Sequence, residues 1–366
     1  EQDCSAVKRL KEAGAMVVGK TATYEFAFGY ATRQSHFQPT HNPWSLSHDA
    51  GGSSSGSAAA VAAGMAYAAM GTCTGGSIRW PAQCCGIVGL KPTYGRVSRT
   101  GVYPLSWSLD HVGPLARTVT DAALMLQGCA GYDPDDPASA DVPVPDFTAQ
   151  LGSDITGMRI GLLSSIYQDN CDAKILTPYG EALKVFESLG AKIVEVPSIT
   201  LDQLLAIEWP TLFSECSAIH VDNVRNCGEN YNPHTKLLVA YGLLVSGAQY
   251  LMGARARAQV RNELLQVLDT DADLLMLPTA GVQVPPIPET SPGIDLVTEG
   301  LSIYTPIFNF TGLPAVQTPC GFDSDGLPVG LQIAGKPFDE PTILQVAHAY
   351  EQATPWHSRH PDYLFA

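Results

Sequence analysis

The sequence predicts an α/β protein: a single domain over residues 1–366 in which a central mixed β-sheet is covered by helices on both faces. Three observations carry this. Short apolar runs alternate along the chain with longer segments of helical periodicity. A helix-then-strand unit occurs near the start and again in the second half. Hydrophobic residues make up 45% of the chain and charged residues 16%, enough to bury a sheet on both sides.

The elements follow in order. Ala6, Val7, Leu10 and Ala13 fall at helical spacing after Asp3, a capping residue, and Gly14 ends the run. AMVVGKT then reads as a short buried strand. A chain that opens with a helix feeding a core strand implies that further structure precedes Glu1. AGGSSSGSAAAVAAG leads into an alanine-rich helix. MRIGLL (158–163) reads as a strand, PYGEALKVFESLG as an amphipathic helix and KIVEV as the next strand. A helix near 248–268, the strand DLLMLPT, the paired segments AVQTPCG and LPVGLQIAG, and a closing helix from Glu340 to Ala353 complete the chain. The segment YDPDDPASADVPVPDF (132–147) is rich in Pro and Asp. Similar units lie on both sides of it, so it reads as a surface crossover within one domain. No tandem repeat is present.

Lys and Arg number 21 against 36 Asp and Glu, a formal charge of −15. This argues against a nucleic-acid groove or an anionic membrane surface, both of which need clustered cations. The most apolar stretch, Ala58 to Met70, is too short to span a bilayer. The opening EQDCSAVKRLKEAG is charged and amphipathic, unlike a secretory leader. Nine cysteines with no C-x-x-C pair read as reduced thiols of a cytoplasmic protein. The histidines are scattered, and His36/His41 and His357/His360 lack accompanying acidic ligands, so neither a metal nor another cofactor is expected.

Chemistry concentrates between Ala50 and Thr118. Three glycines and four serines precede the alanine run, where small residues let backbone approach a ligand and the helix start offers unpaired N–H groups. Serines there serve equally well as caps. A second Gly-Gly-Ser, ending at Ser77, lies on a loop after that helix. Consecutive glycines can aim several N–H groups at one point, as an oxyanion hole requires, and a serine closing the loop stands where it could attack the carbonyl so held.

Together GGSSSGSAAAVAAG and GTCTGGSIRWPAQCCGIVGLKPTYGRVS resemble the signature block of the amidase signature family of serine hydrolases. Ser53 and Ser77 are 24 positions apart, the spacing of that family. The resemblance continues through SLDHVGPLARTVTDAALML, FNFTGLPAVQTPCG and GLPVGLQIAGKPFDE, while residues 200–270 are not distinctive. It implies the amidase signature fold and hydrolysis of an amide, carbamate or ester through a seryl acyl-enzyme. Ser77 matches the nucleophile and Ser53 the proton-relaying serine on a cis peptide, placed in the Ser53–Ser54 region. Thr74, Gly75 and Gly76 match the oxyanion-binding loop. In the family a neutral lysine draws the proton from the relay serine. No residue here matches that lysine, and Lys20 is assigned a structural role. Cys73 stands where aspartate is usual, and Ser55 where glycine is usual, which fits if its φ is negative.

The absent lysine leaves two readings. One is an enzyme whose lysine arrives on an apolar strand upstream of Glu1, pairing near AMVVGKT, and the retained serines and glycine loop favour it. The other is an amidase-like subunit or scaffold without its own base. GSSSG also fits the nucleophile elbow of α/β-hydrolases with Ser54 as nucleophile, but the preceding WSLSHDA does not make the apolar strand which that motif needs. His111 reads as a core or loop residue, and Cys73, Cys84 and Cys85 as buried thiols rather than nucleophiles. The expected partner is a small-molecule amide or carbamate, with a homodimer left open. Segment 166–260 is expected to form much of the acyl pocket. There WPTLFSECSAIH, Tyr231, Tyr241 and Tyr250 offer apolar walls or core. The tyrosine and arginine pattern of a glutamyl-tRNA amidotransferase subunit is not visible, which weighs against a tRNA-linked role.

Overall fold

The computed structural model describes residues 2–29, 36–289 and 304–362. Helix α1 (Ser5–Glu12) is followed by a small hairpin, β1 (His41–Asn42) and β2 (Ser45–Asp49), then α2 (Ser55–Ala62), β3 (Ala68–Cys73), α3 (Arg79–Cys84) and β4 (Val88–Lys91). Next come β5 (His111–Ala116), α4 (Val119–Cys129), β6 (Arg159–Leu162), α5 (Ser164–Tyr167), α6 (Ala173–Ser188) and β7 (Lys192–Glu195). Three long helices, α7 (Leu201–Cys227), α8 (Pro233–Gly242) and α9 (Gly247–Thr270), precede β8 (Leu274–Pro278). A short helix (Pro306–Phe310), β9 (Ala315–Phe322), β10 (Pro328–Ala334) and the closing helix Glu340–Ala353 end the fold.

Eight strands form one sheet in the order β3-β5-β4-β9-β10-β8-β6-β7. The pairs from β3 through β8 are antiparallel, and β8-β6 and β6-β7 are parallel, so the sheet is mixed. The pleat of β5 shows how both faces are covered. Leu115 packs with Ala58, Val61 and Ala62 of α2, while Val112 and Ala116 join the cluster holding Val119, Ala122 and Leu126 of α4. Alanines let α2 lie close on its face. On the other face, Phe186 of α6 stacks on Tyr350 of the closing helix, with centroids 4.7 Å apart. Segment 132–147 contains no helix or strand and is anchored by its acids: Asp136 binds Arg99, and Asp133 accepts from Ser5 and Ser98.

Two expectations at the start need correction. Residues 15–20 are irregular, and Met16 and Val18 are 87% and 76% exposed, so AMVVGKT is not a buried strand. Apolar residues make a strand only when a neighbour completes the hydrogen-bond ladder, and none pairs with this segment among the described residues. Asp3 does not cap α1. Cys4 holds that position without a side-chain bond, and Asp3 pairs instead with Lys11 at 2.6 Å. Strand β3 begins in the stretch read only as apolar chain and runs into the second signature segment, and α7 lies within the undistinctive middle.

Candidate active site

The first glycine-serine segment crosses from β2 into α2, and the second from β3 into α3. Ser54 N–H donates to the Ser77 carbonyl at 3.2 Å, tying the two together. The peptide bond between Gly52 and Ser53 is cis, one bond before the expected region. The Ser53 carbonyl accepts from the Tyr24 N–H at 3.1 Å and the Thr23 hydroxyl at 2.8 Å. A Cβ on Gly52 would lie 2.2 Å from the Tyr24 ring, so only glycine allows that ring to close over the turn. Ser55 sits in the first turn of α2 without a positive φ, so its substitution for glycine costs the backbone nothing.

Ser53, Thr74, Gly75, Gly76 and Ser77 all line one cavity of about 160 Å³. Tyr24, Phe28, Trp80, Trp209, Phe213 and Leu238 supply apolar walls. The Ser53 Oγ is buried and has no hydrogen-bond partner among the described residues. The Ser54 hydroxyl bonds the backbone of Thr72 at 3.3 Å and makes no capping bond to its helix.

The glycine loop is held from outside the signature block. The Thr74 hydroxyl donates to Asp110 Oδ1 at 2.6 Å, and Asp110 Oδ2 accepts the N–H groups of Leu105 and Ser106. The Thr305 hydroxyl donates to the Gly75 carbonyl at 2.6 Å, and the Asn309 amide to the Cys73 carbonyl at 2.8 Å. Arg79, fully buried, donates to Gln332 at 2.6 Å, to the Thr305 carbonyl and to Asn309. Asp110 and Asn309 stand in stretches that carried the resemblance, but nothing in their spacing marked them as braces.

Cys73 is buried, with its Sγ 3.8 Å from Arg79 Nη2. Among the described residues no carboxylate pairs with this guanidinium, whose pKa burial lowers. A buried cation without a countercharge is costly. Cys73→Asp is therefore expected to stabilise the protein by about 1.5–3 kcal/mol, the range of a charge-assisted hydrogen bond. Urea unfolding measures it. A loss of stability would show that the polar ring around Arg79 already suffices.

Among the described residues no lysine, arginine or histidine lines the cavity. Lys20, given a structural role on sequence, is exposed in irregular chain and bonds no other group among the described residues. Lys91 is buried and donates to the carbonyls of Pro92 and Leu313. His111 is buried in β5, its Nδ1 against the Leu109 carbonyl, and burial lowers its pKa well below the usual value. Cys84 and Cys85 are fully buried thiols whose pKa values burial raises. Among the described residues no group of three His, Cys, Asp or Glu side chains could hold a metal, and no single helix is long and apolar enough to cross a membrane. The three tyrosines of the middle region all lie outside the cavity wall. Tyr231 stacks on Phe26, Tyr241 meets the edge of Phe213, and the Tyr250 hydroxyl donates to Glu215.

One ionisable side chain in the cavity wall carried no signal in the sequence. Glu208 of α7 is 6% exposed and abuts the glycine loop: a Cβ on Gly75 would lie 2.5 Å from its Oε1. Burial pushes its carboxyl up from 4.5 to about 8. The folded state therefore holds the proton more tightly than the unfolded chain, so this contribution to stability is present below pH 4.5 and is lost as pH rises to 8. Glu208→Gln should remove the loss. Its stability relative to wild type should grow by a few kcal/mol between pH 5 and 9, at about 1.4 kcal/mol per pKa unit. Urea unfolding at the two pH values checks this, and a pH-independent difference would refute it.

Comparison with known proteins decides the family. The family model described as Amidase matches residues 1–344. The chain belongs to the amidase signature family. This member is 42% identical over 384 residues to a glutamyl-tRNA(Gln) amidotransferase subunit of Carboxydothermus hydrogenoformans, covering 98% of this chain and 78% of that protein. It is 40% identical over 377 residues to an amidase of Pseudomonas putida, covering 100% and 78%. Among solved structures, a bacterial aryl acylamidase of the amidase signature family superimposes with a TM-score of 0.85 at 27% identity, over 97% of this chain and 76% of that one. The mixed sheet with its helical layers is thus the amidase signature fold.

Proposed function

We propose that the protein hydrolyses the C–N bond of a small carboxylic amide or carbamate, or the acyl C–O bond of an ester, through an acyl-enzyme on Ser77. The observation that carries this reading is the convergence of the Ser77 turn, the Thr74-Gly75-Gly76 backbone and the unpartnered Ser53 hydroxyl on one cavity. In this reading Ser77 Oγ attacks the carbonyl carbon while its proton passes to Ser53, and the N–H groups of the glycine loop stabilise the oxyanion. Collapse of the tetrahedral intermediate breaks the C–N bond, and the leaving nitrogen takes a proton. Water then cleaves the ester by the same route in reverse. Ser53 must hand its proton to a base, the lysine that the family resemblance implies. Lys20 and Lys91 lie away from the cavity and do not fill that role.

A fluorophosphonate tests the reading directly in a form of the protein that supplies the family lysine, since it phosphonylates only an activated serine. The adduct is expected on Ser77, located by mass spectrometry of the digested protein. An adduct on another serine, or none, would overturn it.

The names of several relatives supply a second reading, an amidotransferase component working with partner chains. What favours a simple amide is that, among the described residues, no cationic side chain in the cavity wall would pair with a substrate carboxylate. Turnover of aryl and alkyl amides by a form of the protein that supplies the family lysine, set against glutamine and without partner chains, separates the two.

A further inference from the structure

The cavity is apolar and aromatic except for the serines, the threonine and one carboxyl group. That carboxyl, on Glu208, is 6% exposed and pressed against Gly75. Among the described residues it has neither a hydrogen bond nor an ion pair. Such an arrangement is unusual, because a buried carboxyl group ordinarily has a partner inside the protein. Here the open direction is the cavity, beside the loop at which a substrate carbonyl would sit.

The surroundings define what would suit it. Trp80, Trp209, Phe28 and Phe213 line the same space, and aromatic faces attract cations. No lysine, arginine or histidine among the described wall residues competes for the carboxylate or repels a cation. The chain as a whole carries −15, which draws cations toward it. The cavity of about 160 Å³ is comparable to one of about 150 Å³ that takes a single benzene ring, so the group held is small.

Resting on the proposed hydrolase reading, we propose that Glu208 is a specificity determinant that pairs with a cationic amino group on the substrate, close to the scissile carbonyl. The preferred substrates are then small amides bearing an aminoalkyl or aminomethyl-aryl group. An ionised Glu208 alone beside the glycine loop would oppose the developing oxyanion, whereas one paired with an ammonium would not. Burial, with no charged neighbour contributing, is what raises the Glu208 pKa, which agrees with a carboxyl whose countercharge comes from a ligand.

The test is a binding comparison that does not depend on turnover. Benzylammonium and benzyl alcohol, matched in shape, are titrated calorimetrically at pH 7 into the full chain and into its Ser77→Ala and Glu208→Gln variants. Benzylammonium is expected to bind at least tenfold more tightly than the alcohol to wild type and to Ser77→Ala. Glu208→Gln should bring the two ligands within threefold. Equal binding of the pair by wild type, no measurable binding of the ammonium, or a preference that survives Glu208→Gln would overturn the proposal. Should the ammonium preference hold while no serine accepts fluorophosphonate even with the family lysine supplied, the hydrolase reading fails and the cation site stands. Ser77 labelling without the preference is the converse.

Discussion

Ser77→Ala is expected to lower amide turnover by about 10⁶-fold, the loss seen when the nucleophile of a serine hydrolase is removed. Fluorophosphonate labelling should disappear with it. The fold should be untouched: Ser77 is half-buried at the cavity wall, and its hydroxyl bonds no other side chain among the described residues. Substrate binding should survive, because the walls and the glycine loop remain. A melting temperature within a degree or two of wild type, with kcat lost, separates a chemical role from a structural one. Turnover above a hundredth of wild type would place the nucleophile elsewhere. Ser54 would not inherit the role, since its hydroxyl is committed to the backbone of Thr72.

Much of this site is legible in the chain without its fold. The two glycine-serine turns announce themselves because backbone geometry there depends on side-chain absence. The open turn at Gly52 that admits Tyr24 shows this directly. Strands β6, β7, β9 and β10 and the closing helix are legible as well, their apolar period being undisturbed by local function. What failed did so for reasons of context. AMVVGKT has the composition of a strand, yet strand formation is a property of a pair, and composition does not say whether a partner exists. The alanine run before β3 carries neither period clearly, since alanine suits helix and tight sheet packing alike. Glu208 lies in a helix with a weak apolar face, and a lone glutamate in such a helix ordinarily faces water. Only the approach of α7 to the Gly75 loop turns it inward. Asp110 and Asn309 are legible as residues but not as braces, because their partners are 36 and 236 positions away.

Ser53→Ala carries the second large effect, and stability and rate should move in opposite senses. The Ser53 hydroxyl is buried without a hydrogen-bond partner among the described residues, and an unsatisfied buried hydroxyl costs about 1–3 kcal/mol. A purely structural serine would not be left so. Replacing it with alanine removes the orphaned group and leaves a void of one oxygen, so thermal stability should hold or rise slightly. The backbone of residue 53 keeps its bonds from Tyr24 and Thr23, which involve the carbonyl and not the side chain. The rate should fall by about 10² to 10⁴-fold, the usual contribution of a positioned proton-transfer group. The fall should appear in kcat with KM little changed, because the hydroxyl serves proton movement and not substrate attachment. Fluorophosphonate should still mark Ser77, but more slowly. Unchanged kcat would remove Ser53 from the proton path. A large drop in melting temperature would mean that its hydroxyl holds the turn together, and the rate loss would then say nothing about chemistry.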